Sequence, residues 1–259
     1  MPQVVLITGA SAGIGKEFAR VYAARGCELV LVARRADALQ VLAEELKSQY
    51  GVVSHVVAAD LADVNAAAQV FDEVKRLGVN VDVLVNNAGF GFQGAFANAP
   101  IEKQVGMIQV NVLALVQLTR LFLPDMISRG TGGVINVAST AAFVPGPLMS
   151  VYYATKAFVL SFTEALWNEM QGTGVKVSCL CPGATITEFQ IQSGMDKTPL
   201  FKRGIGMDAY SVAKIGADAL DRNQAVVICG LSNQFAVASS KFVPRKLTAS
   251  LVRKLQTVT

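Results

Sequence analysis

Short apolar runs rich in β-branched residues recur along the chain, and longer stretches with helical periodicity separate them. The runs are almost continuously apolar, which is typical of strands that helices cover on both faces of a sheet. Regular alternation of such strands with helices predicts βαβ units on a parallel sheet, and therefore a doubly wound α/β fold. The predicted strands are residues 4–7, 28–33, 52–58, 81–86, 134–138, 175–181 and 225–229.

This alternation continues without a linker rich in Pro, Gly or Ser, so we expect a single domain over residues 1–259. Two stretches interrupt it: residues 90–100 follow the fourth strand, and residues 183–206 follow the sixth. Both leave the carboxyl end of a strand, which is the edge where ligands bind in open parallel sheets. We therefore expect both stretches to form walls of a substrate pocket.

Composition narrows the possible functions. With 52% hydrophobic and 16% charged residues, the chain lies outside the range of disordered proteins. The net charge of +4 is modest, and the basic residues are scattered except between Lys241 and Lys254, so no nucleic-acid partner is expected. The four cysteines stand in apolar runs without metal-ligand spacing, and His55 is the single histidine. Reduced core thiols and no metal site are therefore expected.

Reduced thiols favour a reducing compartment. The chain begins Met1-Pro2-Gln3 and enters an apolar strand directly, without the basic region, apolar segment and cleavage site of a signal peptide. Residues 130–155 carry no charge, but Asn136, Ser139 and two prolines make them a poor bilayer span. We therefore expect a cytoplasmic protein that does not associate with membranes.

A glycine-rich turn, Thr8-Gly9-Ala10-Ser11-Ala12-Gly13-Ile14-Gly15, follows the first strand and opens a helix. Glycines let backbone N–H groups approach a pyrophosphate at a helix N-terminus, where the helix dipole favours negative charge. The spacing departs from G-x-G-x-x-G, so the prediction rests on the position between strand and helix, and a plain turn stays the alternative. The predicted dinucleotide contacts in this Rossmann-type fold are Gly9, Ser11, Gly13, Ile14 and Gly15.

The second strand ends in Ala33-Arg34-Arg35, where dinucleotide-binding folds contact the adenosine ribose. An acidic residue there would bind the two ribose hydroxyls of NAD, whereas two guanidinium groups suit a 2′-phosphate. The cofactor predicted from these residues is NADP(H), with two solvated arginines as the alternative.

Further residues that are expected to contact the cofactor stand at the ends of the third and fourth strands, at the same edge of the sheet. Asp60, followed by Leu61, is expected to meet the adenine amine. Asn86 is assigned either to the cofactor ribose or to bracing the neighbouring strands through its amide. Ala88 and Gly89 follow it into the predicted cofactor site.

Tyr152 and Lys156 are four residues apart in a predicted helix, so they project from one face. A cation about 5 Å from the phenol contributes roughly 3 kcal/mol at an effective dielectric of about 20, which favours a lowered tyrosine pKa. Tyr210 and Lys214 repeat the spacing. Ser139, at the end of the fifth strand, favours the first pair as the acid/base site.

Together these motifs resemble the short-chain dehydrogenase/reductase family, and the likeness runs from about Val4 to Thr187. Residues 31–35 look like its NADP-preferring branch, although Ala12 stands where some NADP-binding members have a basic residue. The motifs that carry the resemblance are the turn at Thr8 to Gly15, Asn86-Asn87-Ala88-Gly89, Ser139, Tyr152-x-x-x-Lys156, and Pro182-Gly183 with Thr187.

The resemblance implies hydride transfer between NADP(H) and a small-molecule carbonyl or alcohol. Tyr152 would exchange a proton with the substrate oxygen, Ser139 would hydrogen-bond that oxygen, and Lys156 would contact the ribose and lower the Tyr152 pKa. Asn111 matches the fourth catalytic position of the family and would help a water relay a proton to Lys156. The residues expected beside the nicotinamide are Pro182, Gly183 and Thr187.

The resemblance also implies a homodimer or homotetramer. Residues 233–259 correspond to the variable C-terminus of the family, and a membrane-surface helix, a subunit contact and a lid all stay open for them. Apolar residues on predicted loops favour a hydrophobic substrate, although core packing explains them equally well: Phe143, Leu148, Met149, Phe189 and Phe201. The alternative functions are an epimerase or dehydratase that retains its cofactor, and a non-catalytic NADP(H)-binding sensor or scaffold.

Overall fold

The computed structural model describes residues 2–195 and 206–257. Within them, seven parallel strands form one sheet: β1 Val4–Thr8, β2 Glu28–Ala33, β3 Ser54–Ala58, β4 Val83–Asn86, β5 Gly132–Val137, β6 Val175–Cys181 and β9 Val226–Ile228. Two short strands, β7 Thr185–Ile186 and β8 Met207–Asp208, pair in a separate parallel sheet. The order β3-β2-β1-β4-β5-β6-β9 confirms the doubly wound Rossmann-type fold.

Helices cover both faces of the large sheet. They are α1 Gly13–Ala24, α2 Ala36–Tyr50, α3 Ala66–Arg76, α4 Ile101–Ile108, α5 Leu115–Arg129, α6 Ser150–Glu169, α7 Phe189–Ser193, α8 Ala209–Asp221, α9 Leu231–Ser240 and α10 Arg245–Gln256. A π-helical turn, Gln109–Ala114, joins α4 to α5.

Two buried clusters hold these layers together. Because successive strand residues point to opposite faces, Ile7 packs with α1, α2 and α8, whereas Leu6 packs with α3, α5 and the end of α6. Phe18 is a large buried side chain of the first cluster, and Leu118 is one of the second. Both faces of the sheet are therefore dry, which explains the continuously apolar strands.

The observed strands differ from the predicted ones mainly at their ends. β3 begins at Ser54 and β4 at Val83, two residues later than predicted, because Val52 and Val81 are buried beside the sheet without joining it. The β7/β8 pair was not predicted, since two-residue strands leave no periodic signal. Of the predicted loop 183–206, residues 196–205, with Phe201, lie outside the described residues.

The helix that runs from Ile101 to Arg129 is 29 residues long, and an 18-residue window within it has a mean hydropathy of 1.5, enough to cross a bilayer by length and composition. Half of that 18-residue window is buried inside the fold. A helix in the core of a globular protein can have the same length and hydropathy.

The direction of strand order reverses between β1 and β4, because the chain builds β2 and β3 on one side of β1 and then returns to build β4 on the other. Such a switch point opens a crevice at the carboxyl ends of the strands, the usual ligand position in open α/β sheets. The candidate site lies there.

Candidate active site

A cavity of about 590 Å³ opens at the carboxyl edge of the large sheet. Most of the residues singled out in the sequence line it: Gly9, Ser11, Gly13, Ile14, Arg34, Arg35, Asp60, Leu61, Ala88, Gly89, Ser139, Tyr152, Lys156, Pro182, Gly183 and Thr187. Gly15, Asn86 and Asn111 lie behind its wall, where they shape the residues in front of them.

The glycine-rich turn has the backbone shape that the sequence implied. Gly9 and Gly13 adopt positive φ angles of +66° and +54°, a region that favours glycine. A Cβ on Gly15 would lie 2.3 Å from the carbonyl oxygen of Gly9, so only glycine lets α1 pack beneath the turn. The first N–H groups of α1, which have no partner within a helix, therefore face the cavity.

Asn86 braces the sheet. Its Nδ2 donates to Thr119 Oγ1 at 3.0 Å and to Asn136 Oδ1 at 2.9 Å, and only 3% of the residue is exposed. Of the two roles left open by the sequence, the geometry thus favours the brace over the cofactor contact assigned to Asn86.

Asn87, its neighbour, holds the glycine-rich turn. Its Nδ2 donates to the Thr8 carbonyl at 2.8 Å, and Thr8 Oγ1 accepts from the backbone N–H groups of Asn87 and Ala88, each at 3.0 Å. The sequence placed Asn87 in a motif but gave it no role; its position directly after the fourth predicted strand was the signal that could have assigned one.

At the rim of the cavity, Arg34 and Arg35 differ in their partners. Arg35 donates to Ser11 Oγ at 3.4 Å and forms an ion pair with Glu188 at 3.2 Å. Arg34 makes no hydrogen bond or ion pair within residues 2–195 and 206–257. The guanidinium group of Arg34 is therefore available to an anionic ligand, whereas that of Arg35 is already partly neutralised.

Three polar side chains meet at the inner end of the cavity. Ser139 follows β5 by two residues, and its Oγ accepts from the Ala141 N–H at 3.1 Å and donates to the Pro182 carbonyl at 3.3 Å. Tyr152 lines the same end of the cavity, close enough to the Ser139 hydroxyl for that group to act on the Tyr152 pKa. Lys156 lies on the same face of α6, with Nζ donating to the Val137 carbonyl at 2.8 Å.

The second Tyr-x-x-x-Lys pair lies on the outside of the fold, in α8. Tyr210 is 46% exposed, and Lys214 Nζ contacts Asp218 on the same helix at 2.8 Å. The structure therefore brings Tyr152, and not Tyr210, together with Ser139.

Burial shifts the pKa values of Tyr152 and Lys156. It raises the pKa of Tyr152 well above its usual value, while the Ser139 hydroxyl acts in the opposite direction. It also lowers the pKa of Lys156 to about 8, and the thiols of Cys179 and Cys181 offset that shift only in part. The lowering of the Tyr152 pKa expected from Lys156 stays a prediction; Lys156 Nζ stands over the Tyr152 ring, 5.9 Å from its centroid.

This shift makes a prediction about stability. Below a pH of about 8 the folded chain must bury the Lys156 cation, whereas between about 8 and the ordinary value of 10.5 the unfolded chain binds more protons at this group than the folded chain. The free energy of unfolding of the wild type, relative to Lys156→Met, is therefore expected to rise through that pH range. Urea unfolding of both proteins without cofactor measures the difference, and a flat difference would contradict the buried position of Lys156.

Asn111 lies in the π-helical turn and connects two segments behind the cavity. Its Nδ2 donates to the Phe90 carbonyl at 3.0 Å and to Thr155 Oγ1 at 3.1 Å, and its Oδ1 accepts from the Phe90 N–H at 3.0 Å. Asn111 thereby joins the loop after β4 to α6, between Tyr152 and Lys156. The proton relay implied for it stays a prediction.

The family model of the short-chain dehydrogenases matches residues 3–198. The chain belongs to this family. A sulfoacetaldehyde reductase from Chromohalobacter salexigens is 37% identical over 221 residues, covering 83% of this short-chain dehydrogenase and 87% of the relative. A very-long-chain 3-oxoacyl-CoA reductase from Phaeosphaeria nodorum is 38% identical over 181 residues, which are 68% of this chain and only 52% of that protein. The chain thus spans about half the length of the fungal relative.

Solved structures of short-chain dehydrogenases share the fold over nearly the whole chain. One from Sphingobium yanoikuyae, in complex with NADPH, has a TM-score of 0.83 and 33% identity, covering 93% of this chain and 94% of that one. A 7β-hydroxysteroid dehydrogenase has a TM-score of 0.88 and 30% identity, covering 97% and 96%. One from Burkholderia phymatum, in complex with NAD, has a TM-score of 0.82 and 25% identity, covering 92% of each chain.

A nicotinamide dinucleotide, which the family implies, fits the residues present. The turn at Gly9 and Gly13 brings backbone N–H groups to the cavity where a pyrophosphate would lie. Gly183 lines the same cavity, and Thr187 packs against the turn, since a Cβ added to Gly13 would lie 3.2 Å from the Thr187 side chain. Groups of His, Cys, Asp and Glu that could hold a metal ion are absent from the described part of the chain.

Proposed function

We propose that this short-chain dehydrogenase is an NADP(H)-dependent enzyme that interconverts a hydrophobic carbonyl compound and its alcohol. The observation that carries the proposal is the shape of one cavity. Ser139, Tyr152 and Lys156 meet at its inner end, and two arginines stand at its rim.

The preference for NADP(H) rests on the end of β2. Ala33 offers no carboxylate for ribose hydroxyls, and Arg34 is unpaired within the described residues. A guanidinium group donates paired hydrogen bonds to a phosphate, and such charge-assisted bonds are roughly twice as strong as neutral ones. An extra 2′-phosphate at this position therefore gains a partner that a bare ribose lacks.

At the inner end, the side chains handle the substrate oxygen. When bound, the nicotinamide would supply or accept the hydride. Tyr152, whose raised pKa keeps it protonated at neutral pH, donates its proton to the carbonyl oxygen in reduction. Ser139 Oγ donates a hydrogen bond to the same oxygen in exchange for its weak bond to the Pro182 carbonyl. Placed acid/base groups of this kind contribute about 10²–10⁴-fold in rate.

The wall around Tyr152 supports the proposed class of hydrophobic substrates. Phe90, Phe189, Tyr153 and Met195 line the cavity there and pack with the buried Met149 in one apolar cluster. Apolar walls with a few placed polar groups are typical of sites for hydrophobic ligands. The 7β-hydroxysteroid dehydrogenase and the 3-oxoacyl-CoA reductase act on compounds of that kind, which supports the same class for this chain.

A cofactor-consumption screen tests the proposed function. NADPH and NADP⁺ are each incubated with panels of aldehydes, ketones and alcohols, with NADH and NAD⁺ in parallel. Faster oxidation of NADPH than of NADH with bulky apolar ketones is the expected result. Tight NADPH binding without turnover of any carbonyl or alcohol would instead support the sensor or scaffold.

Assembly into a homodimer or homotetramer is part of the proposal. Val105, Ile108 and Leu113 on the long helix and Phe158 on α6 are exposed apolar side chains. A second copy would bury them, since symmetric oligomers pair like surfaces.

Glu188 is expected to weaken NADPH binding. Its carboxylate pairs with Arg35 and adds negative charge where a 2′-phosphate would lie. Because both partners are about half exposed, the pair contributes at most about 1 kcal/mol. We expect Glu188→Gln to tighten NADPH binding by up to about fivefold, with NADH as the internal control. Calorimetric titration measures both, and equal changes for the two cofactors would contradict a phosphate effect.

A further inference from the structure

The C-terminal helix α10 distributes its side chains in an unusual way. Leu247, Leu251 and Leu255 are exposed, whereas the polar Thr248 and Gln256 are buried, and Gln256 is only 1% exposed. An ordinary surface helix does the opposite and turns its leucines to the core. Burying an amide costs free energy unless it is hydrogen-bonded, so the position of Gln256 indicates a specific contact.

Gln256 contacts two residues that are far from it in the sequence. Its Nε2 donates to the hydroxyl of Tyr153 at 3.0 Å, and its backbone carbonyl accepts a hydrogen bond from Gln93 Nε2. Its Oε1 is buried and has no partner within residues 2–195 and 206–257. A methionine would fill a similar volume without that unpaired oxygen, so packing alone does not account for glutamine.

Tyr153 stands beside the acid/base group. Its ring contacts that of Tyr152 edge to face, with centroids 6.0 Å apart, and it lines the cavity. A Cβ on Gly146 would lie only 2.1 Å from the Tyr153 ring, so the ring lies directly against the Gly146 backbone. With the ring held there, the hydroxyl at its tip is fixed by Gln256.

Gln93 belongs to the loop that follows β4. This loop borders the part of the cavity around Tyr152, as Tyr153 does. Its N–H donates to the Ser193 carbonyl at 2.9 Å, and the Gly94 N–H donates to the Leu148 carbonyl at 2.8 Å. The loop is thus tied to α7 and to the segment before α6, and its third tie is to Gln256. One residue of α10 therefore holds both Tyr153 and this loop.

We infer that Gln256 is a positioning residue that fixes the substrate wall, here meaning Tyr153 with residues 90–94, and thereby sets selectivity for bulky substrates. The inference rests on the proposed function, since selectivity is defined by turnover. Gln256 acts through Tyr153 and the loop, and does not touch the reacting atoms. Loss of its amide frees the Tyr153 ring to move into the space that a bulky substrate needs.

Gln256→Met tests this with little change in side-chain volume. We expect the KM for a bulky aryl ketone to rise about fivefold, the fold-change that one hydrogen bond is worth. The kcat, the KM for a small aldehyde and the dissociation constant for NADPH should stay within about twofold. Leu255→Ala, an exposed neighbour on the same helix, is the control and should leave every constant unchanged.

A double-mutant cycle separates a contact with Tyr153 from a general effect of the helix. Tyr153→Phe removes the hydroxyl that Gln256 holds. On that background Gln256→Met should raise the KM for the bulky ketone no further. Full additivity of the two changes would overturn the inference that Gln256 acts through Tyr153.

Amide hydrogen exchange gives a readout that needs no substrate. Gln93→Met removes the side-chain donor to the Gln256 backbone carbonyl, a contact that Gln256→Met leaves in place. In this variant the N–H groups of residue 93 and Gly94 should exchange faster than in the wild type, while those of the central strand β1 should not change. Unchanged exchange at both amides would overturn the anchoring role. If the wild type turned over no carbonyl, the proposed function would fail, and the exchange experiment would still decide whether Gln256 anchors the wall.

Discussion

Replacing Tyr152 with phenylalanine is expected to abolish carbonyl reduction while leaving NADPH binding intact. The variant keeps the ring and its contact with Phe189, whose centroid is 5.5 Å away, and loses only the hydroxyl. Without it the substrate oxygen loses the group assigned as its proton donor. We expect turnover to fall by about 10²–10⁴-fold, as for other positioned acids. Steady-state kinetics and cofactor titration measure the two effects separately.

Tyr210→Phe is the matched control for this experiment. Tyr210 has the same spacing to a lysine, but it is 46% exposed on α8, away from Ser139. Its loss should leave kcat and KM unchanged. Full turnover in Tyr152→Phe, or an equal loss in Tyr210→Phe, would show that the acid has been assigned to the wrong group.

The inner strands were predictable because they are buried on both faces. Leu6 and Ile7 are adjacent, yet they enter different clusters on opposite faces of β1, so both must be apolar. A continuous apolar run records that requirement directly. The ends of β3 and β4 were less predictable, since Val52 and Val81 are buried without belonging to a strand.

Long-range contacts within the site were beyond sequence reasoning. The pKa of Tyr152 was expected to fall because Lys156 is four residues away, but the direction depends on how dry the pocket is, which spacing does not record. Gln256 is separated from Tyr153 by 103 positions, and no local pattern connects them. Asn86 showed the same limit: its two roles could be told apart only when Thr119 and Asn136 were seen beside it.

The glycine-rich turn was more accessible, because its requirement is local. Positive φ angles at Gly9 and Gly13 follow from the tight path between β1 and α1, and glycine is the residue that adopts them at little cost. The packing reason for Gly15 is visible only in the structure, where the Gly9 carbonyl occupies the place of a Cβ.

Replacing Arg34 with alanine is expected to weaken NADPH binding far more than NADH binding. The guanidinium group has no partner in the described residues, so its loss removes phosphate contacts without disturbing an existing ion pair. Hydrogen bonds to charged groups are worth about 1.5–3 kcal/mol, which corresponds to a loss of about 10- to 100-fold for NADPH. Arg35→Ala should cost less, because Arg35 must first give up Glu188.

Ala33→Asp is the complementary change. A carboxylate at the end of β2 would accept hydrogen bonds from the ribose hydroxyls of NADH and repel a 2′-phosphate, so the preference should shift further toward NADH than in Arg34→Ala. Dissociation constants of NADPH and NADH, measured for Ala33→Asp and Arg34→Ala, show which variant shifts the preference further. An equal loss of NADPH and NADH in Arg34→Ala would remove the phosphate role from Arg34. Any proposed preference for NADP(H) would then rest on Arg35 and Ser11, which contact each other across the same rim.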